Sequence, residues 1–312
     1  WRLAAPEPRV VIVDIDEKSL AEQGRWTWPR SRLAELVGRI VDEGGARVLG
    51  FDIVFAEPLP SDDASFVDSI RGRPVVLGYY FSSDEGGRRI GRLPLPVLPA
   101  DTLGMHGLSA LTWDGFGANL DSIADAARAS GFYNARVDDD GVVRSVPLLS
   151  AYDGQLYESL AVSMLRVYQG DVPLALGPAG LSIGAGLTIP FGDDLTARVP
   201  FAGGAGPAAG RFDYVSATDV LAGRIDPAVF RDRMVLVGAS AQGIGDRQAT
   251  PVNRSTPGVE IHATLLAGAL QGGLQSTPWN ASVGMALLTF AVGLVIAGWM
   301  PRLGAAGVTV LA

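Results

Sequence analysis

From His262 to Pro301 the chain carries no acidic residue and neither lysine nor arginine. Inside that stretch, Trp279–Met300 reads WNASVGMALLTFAVGLVIAGWM, close to the ~20 apolar residues that cross a ~30 Å hydrocarbon layer as a helix. A charge-free run of this length leaves two options, a membrane span or a helix buried on all sides. The sequence reading is a span over 278–300. Trp279 and Trp299 fall near its ends, where an indole keeps its ring in lipid and its N–H in water. Gly293 and Ala297 form a small-xxx-small pair, a weak signal in a segment so rich in glycine and alanine. After Pro301 and Arg302, LGAAGVTVLA (303–312) reads as the start of a second span cut off at Ala312, so a longer protein is expected. Arg302 on the short turn assigns that side to the cytoplasm and places residues 1–277 outside it.

The remaining composition narrows the partners. Net charge is −8, with 33 acids against 25 bases, and no basic run exceeds the Arg88–Arg89 pair. Nucleic acid is therefore not expected as a partner. The absence of cysteine fits either side of a membrane, because a chain of 312 residues can build a core without disulfides.

Ahead of the charge-free stretch the pattern is strand, helix, strand, helix, strand. Val10–Asp16 (VVIVDID) and Arg47–Phe55 (RVLGFDIVF) are apolar strands that turn acidic near their ends, and Pro74–Phe81 is a third. Between the first two, Ser31 is a candidate cap for a helix carrying Leu33, Leu36, Val37, Ile40 and Val41, stopped at Gly44–Gly45. This order predicts an α/β fold with a mixed, largely parallel sheet flanked by helices and followed by transmembrane helices. Residues 82–128 read as a loop-rich insertion with helix near Ser122–Arg128. Asp140–Gly141 signals a β-hairpin inserted within Phe132–Leu149. A helix through Leu160–Tyr168, strands at Leu187–Pro190, Ala197–Phe201 and Met234–Val237, a short helix from Ser216 and a last helix over Val259–Leu270 complete the reading.

Familiar catalytic motifs fail on inspection. In VLVGASAQGIGD (Val235–Asp246), the third glycine of a dinucleotide fingerprint would fall on Gln248, and the nucleophile elbow fails at Gln242. A Walker loop needs a lysine, and Lys18 is the only one in the chain. A Ser240–Asp246–His262 triad is possible in composition alone, since only geometry defines a triad. His106 and His262 do not make a paired-histidine zinc motif. Aligning Gly141 with the glycine of a calcium loop puts Arg136 and Pro147 at ligand positions, so Asp138–Asp140 read as a solvated turn. No cofactor or metal is expected.

The better constellation is distributed. Asp14, Asp16 and Asp52 end early strands, while Ser240, Asp246, Glu260 and His262 surround a late one. Open α/β sheets gather ligands at the carboxyl ends of their strands. These residues, with Arg30, are the candidate lining of a small-ligand or cation site. The plain alternative is that the acids pair with Arg30 or Arg247 and accept loop amides. Asp14 and Asp16, two apart, would share a strand face.

Five separated segments carry a family resemblance: VVIVDIDEKSLAEQGRWTWPRSRLAELV, GARVLGFDIVFAEP, GFYNARVDDDGVVRSVPLL, VLVGASAQGIGDRQATP and TPGVEIHATLLAGAL. Together, over Val10–Pro278, they resemble the type-two CHASE sensor domain of bacterial transmembrane receptors. The resemblance implies an extracytoplasmic input domain at the bacterial inner membrane, anchored upstream by one span and followed by several spans leading to a cytoplasmic output. Such outputs are adenylate or guanylate cyclases, histidine kinases or serine/threonine kinases, and a class III cyclase is the expectation for this chain. It implies no catalytic residues and names no ligand. A homodimer sensing a small ligand or other extracytoplasmic signal is expected. A ligand-free dimerisation domain and, least favoured, a membrane-anchored serine hydrolase using Ser240 and His262 are the alternatives.

Overall fold

A computed structural model describes residues 7–83, 86–244, 246–274 and 281–299, without the side chains of 105, 106 and 281–283. It divides into two units, Trp1–Gln275 and Ser276–Ala312.

The first unit is built on six parallel strands: β1 (Val10–Ile15), β2 (Val48–Phe51), β3 (Val75–Ser82), β4 (Ala129–Phe132), β5 (Asp213–Ser216) and β6 (Met234–Ala239). Their spatial order is β5, β1, β6, β2, β3, β4. The far half of β3 pairs antiparallel with Gly115–Gly117, which makes the sheet mixed. The late strand β6 is thus wedged between the two earliest ones. Sequence order alone would have paired β1 with β2.

All residues of β1 and β2 are buried, as expected for parallel strands covered on both faces. Alternate residues serve different layers. Val11, Val13, Ile15, Leu49, Phe51, Val235 and Val237 pack with α2 (Arg30–Val37), α3 (Asp63–Ile70), α4 (Asp121–Ala126) and α6 (Ala217–Leu221). Val10, Ile12, Val48, Val76, Met234 and Leu236 pack with α5 (Leu160–Tyr168) and α7 (Gly258–Leu270). Every residue of α7 from Val259 to Ala269 is buried, so this helix fills space on all sides instead of presenting one apolar stripe.

Several local expectations change. Strand β1 stops at Ile15, and Asp16 caps α1 (Glu17–Gln23) by accepting the Ser19 amide at 2.7 Å, so it shares no strand face with Asp14. Ser31 does not cap α2, which begins at Arg30 after Pro29 and runs on as a π-helical stretch over Gly38–Glu43. The expected hairpin forms, Arg136–Val137 against Val143–Pro147 with Gly141 at φ +77. The expected strand near Leu187 forms as the last of a three-stranded meander over Leu174–Ile189. The first two strands of that meander and a hairpin of β7 (Arg247–Thr250) with β8 (Asn253–Pro257) are additions the apolar pattern does not announce.

In the second unit, α8 (Ala281–Trp299) bears exposed Met285, Leu287, Leu288, Phe290, Val292, Leu294, Val295, Ile296 and Trp299. Side chains are described from 284 to 299 only, about 24 Å of helix at ~1.5 Å per residue. Among the described residues no helix is long and apolar enough to cross a membrane. The span expected over 278–300 thus appears as the helix α8 over Ala281–Trp299 without being shown to cross a membrane, while Trp279, Met300, Arg302 and the second span expected at 303–312 lie outside the described residues.

Candidate functional site

Strand register sets the geometry at the carboxyl edge of the sheet. Asp14 of β1 stands opposite Gly238 of β6, and Val237 stands opposite Phe51 of β2, with the Asp52 amide donating to the Val237 carbonyl at 2.8 Å. Gly238 therefore sits between Asp14 and Asp52, about 10 Å apart across two strand spacings. By alternation all three positions belong to the face that α5 and α7 cover.

Gly238 is small for a reason. A Cβ there would lie 2.6 Å from Cβ of Val259, so only glycine lets the first turn of α7 rest on the strand end. That contact brings Val259, Ile261 and His262 beside Asp52. The result is a cleft of about 270 Å³ lined by Asp52, Asp246, His262, Tyr133, Trp26 and Gln248, with Ile53, Val54, Ile244 and Ile261 among its apolar walls.

Two polar groups of this cleft have unusual surroundings. Among the described residues the Asp52 carboxylate has no hydrogen-bond or ion-pair partner; burial and then Asp246 push its pKa up, while His262 opposes the rise. His262 is 3% exposed, and its Nδ1 has no hydrogen-bond partner among the described residues. Asp246 is exposed and accepts both of its side-chain bonds, at 2.8 Å, from the Gln248 amide. Burial and the nearby Asp52 raise the Tyr133 hydroxyl well above the usual phenol range. No lysine or arginine lines the cleft.

The other expected site residues are engaged elsewhere. Asp14 accepts the Ser240 amide at 2.9 Å and the Ser240 hydroxyl at 2.6 Å. Burial, stronger than these hydrogen bonds, raises its pKa to about 6. Asp16 also accepts from the Ser216 hydroxyl at 2.9 Å. Arg30 belongs to the opposite face: it pairs with Asp63, donates to the Glu57 carbonyl and lies 4.7 Å from the centre of the Phe55 ring. Glu260 accepts from Tyr214 at 2.7 Å and from the Gly206 amide. Two residues apart on a helix are about 200° apart around its axis, so Glu260 turns away from the cleft that His262 lines. Arg247 donates to the Ser240 carbonyl at 2.7 Å and braces the loop after β6.

The composition triad thus comes apart, because the Ser240 hydroxyl is given to Asp14 and not to His262. Among the described residues no group of three ligating side chains is placed to hold a metal ion. A wider, more open groove of about 620 Å³ follows Asp138–Asp140. Two of its three acids are paired, Asp138 and Asp140 with Arg144, which holds Asp140 down to about 2. The larger groove also has Trp113 Nε1, without a partner among the described residues, and the exposed Asp139, but its two arginines, Arg136 and Arg144, are tied to acids. The smaller cleft sets a half-buried carboxylate without a hydrogen-bond partner among the described residues at the carboxyl edge of the sheet, so the candidate site is placed there.

Tyr133, Trp26 and Gln248 escape sequence reasoning. Tyr133 follows the end of β4 at the same sheet edge as Asp52, a signal available once β4 is counted as a parallel strand. Trp26 and Gln248 arrive on loops and a short hairpin, for which no periodic pattern exists.

No curated protein and no solved structure matches the chain. The CHASE2 domain family matches it over residues 1–299, which include the strand-end acids and all of α7. The chain belongs to the CHASE2 family, whose domains are extracellular sensor domains of bacterial signalling receptors.

Proposed function

We propose that residues 1–277 form the extracytoplasmic input domain of a multi-pass bacterial inner-membrane receptor, with the Asp52–His262 cleft as its ligand site and the run 278–300 as the first following span. The observation that carries the site is the cleft itself, where the half-buried Asp52 carboxylate has no hydrogen-bond partner among the described residues, in a fold that pairs its buried acids. A concave pocket with a few convergent polar groups is where a ligand is expected first. The span reading rests on the charge-free sequence from His262 to Pro301. A class III cyclase is the output the family resemblance favours, and a receptor homodimer is the assembly.

Topology is tested by a cysteine at the exposed Asp139 in this cysteine-free chain. In intact cells with a permeabilised outer membrane, Asp139→Cys is expected to react with a membrane-impermeant thiol reagent. Reaction only after rupture of the inner membrane would place the domain in the cytoplasm and overturn the reading. Ligand sensing is tested in the full-length receptor, where Asp52→Ala is expected to weaken the response while basal output persists.

A further inference from the structure

The chemistry of the cleft points to a class of ligand. Its lining holds two carboxylates, Asp52 and Asp246, and neither lysine nor arginine. Other acids of the domain are answered by the protein: Asp14 by Ser240, Glu158 by Arg166, Asp63 by Arg30, and Glu260 by Tyr214. Among the described residues Asp52 has no such hydrogen-bond partner, only the electrostatic pull of His262. A partly enclosed site whose negative charge is only partly offset selects cations, because low-dielectric walls focus the field.

Two further observations separate the kinds of cation. Trp26 and Tyr133 line the same space, and aromatic faces attract organic cations, most strongly when these are desolvated. The walls contributed by Ile53, Val54, Ile244 and Ile261 offer nothing to a hydrated metal ion but match a short carbon chain. A hard divalent ion wants six or more oxygens, and no group of three ligating side chains is assembled among the described residues. His262, 3% exposed, also lines this cleft, although its Nδ1, without a hydrogen-bond partner among the described residues, is closed off from solvent.

We propose that the cleft binds a small organic ammonium compound, its charge between Asp52 and Asp246 beside the rings of Trp26 and Tyr133, and its carbon chain against the isoleucine walls. This deepens the sensor reading and rests on the cleft being its input site.

The test uses the 312-residue chain in lipid nanodiscs at physiological salt. Putrescine and choline are the probes, 1,4-butanediol is the uncharged counterpart of putrescine, and magnesium chloride is the inorganic cation. Calorimetric titration and the shift in Tm are the readouts. At least one ammonium probe is expected to bind saturably and raise Tm, with butanediol silent. Asp52→Asn and Asp246→Asn are each expected to weaken binding by about tenfold or more, the loss of one charge-assisted contact. Asp125→Asn, an exposed acid paired with Arg92, is the control and should leave binding unchanged. If Asp52→Asn does not fold, the exposed Asp246→Asn carries the comparison alone.

Failure of both ammonium probes overturns the proposal, as does equal binding by the Asn variants, or magnesium binding that depends on Asp52 and displaces putrescine. The sensor reading fails separately. If neither probe binds but full-length receptor output still responds through an intact domain, only the ligand class is wrong. If a probe binds and neither the probe nor Asp52→Asn alters output, the ligand class stands and the sensor reading falls.

Discussion

Ser240 holds Asp14 with both of its donors, the amide to Oδ1 at 2.9 Å and the hydroxyl to Oδ2 at 2.6 Å. This clasp joins the loop after β6 to the end of β1, through two residues 226 apart in sequence on strands that are neighbours in the sheet. It also fixes where that loop starts, and therefore how Ile244 and Asp246 reach the cleft. Ser240 braces the site without lining it.

The burial of Asp14, which outweighs the clasp, makes stability depend on pH in a defined direction. Asp14 titrates at about 6 in the folded chain, raised from 3.8 mainly by burial. Between those values the folded state holds a proton that the unfolded state has released. The stabilisation is therefore complete at low pH and is lost as pH rises towards 6, by at most about 3 kcal/mol for a shift of this size. Asp14→Asn, whose amide oxygen can still accept from Ser240, should remove this component. The difference in unfolding free energy between variant and parent, from urea melts, should grow between about pH 4 and pH 6 and then level off. A difference that is flat with pH would mean Asp14 titrates normally.

Removing the hydroxyl tests the same clasp from its other side. Ser240→Ala should cost about 1.5–3 kcal/mol, the range for a hydrogen bond to a charged group, with the larger effect above pH 6 where Asp14 is ionised. Thermal melts at two pH values measure it. A cost near zero at neutral pH would show that water replaces the hydroxyl.

Strands β1, β2, β3 and β6 were legible as continuous apolar runs, the first two turning acidic at their ends, and alternation then assigns Asp52 and Gly238 to one face. Strands β4 and β5, ASGF and DYVS, are too short and mixed to be read. The wedging of β6 between β1 and β2 was not legible, since strand pairing over such separations leaves no local pattern. For the site, Asp52, Asp246 and His262 were readable as polar residues placed after apolar segments. Arg30 and Glu260 carried the same signal and lie elsewhere: Arg30 because its helix packs on the opposite face, Glu260 because the helical period turns it away from His262. Spacing names candidates, and only packing chooses among them.

Gly238 is the position where fold and site meet. Gly238→Ala puts a methyl 2.6 Å from Cβ, 2.7 Å from Cγ2 and 3.2 Å from Cγ1 of Val259, with no flexible side chain to yield. The expected cost is about 1–3 kcal/mol, typical of overpacking a close core contact. Adding Val259→Ala removes the two Cγ contacts but not the shortest one, so a double-mutant cycle should show partial rescue. Full additivity of the two changes would mean that α7 moves away as a unit.

Glu260 offers a control on the same helix. Tyr214 and the Gly206 amide both donate to its Oε2, and Glu260 is 3% exposed. Tyr214→Phe and Glu260→Gln should each lower stability by about 1–3 kcal/mol and show coupling in a double-mutant cycle. Binding in the cleft should change little in Tyr214→Phe. A loss of binding as large as that from Asp52→Asn would show that the two faces of α7 act together.

His262 and Asp52 should behave in the opposite way. Most buried polar substitutions destabilise, because they remove a partner from something. Here Nδ1 of His262 and the Asp52 carboxylate have no described hydrogen-bond partner to lose, and for Asp52 the cost of desolvation outweighs the pull of His262. His262→Leu, close in volume, should therefore be neutral or stabilising by up to about 1 kcal/mol. Asp52→Asn should stabilise as well, and more so as pH rises: its folded pKa lies above the ordinary carboxylate value, so the parent loses stability on ionising and the amide does not. Both substitutions should also weaken the response of the full-length receptor, since they remove polar groups that line the cleft. Stabilisation together with a weakened response is the signature of a site that trades stability for function. If both variants instead unfold more readily than the parent at every pH, the two groups brace the fold, and the cleft loses its standing as the input site.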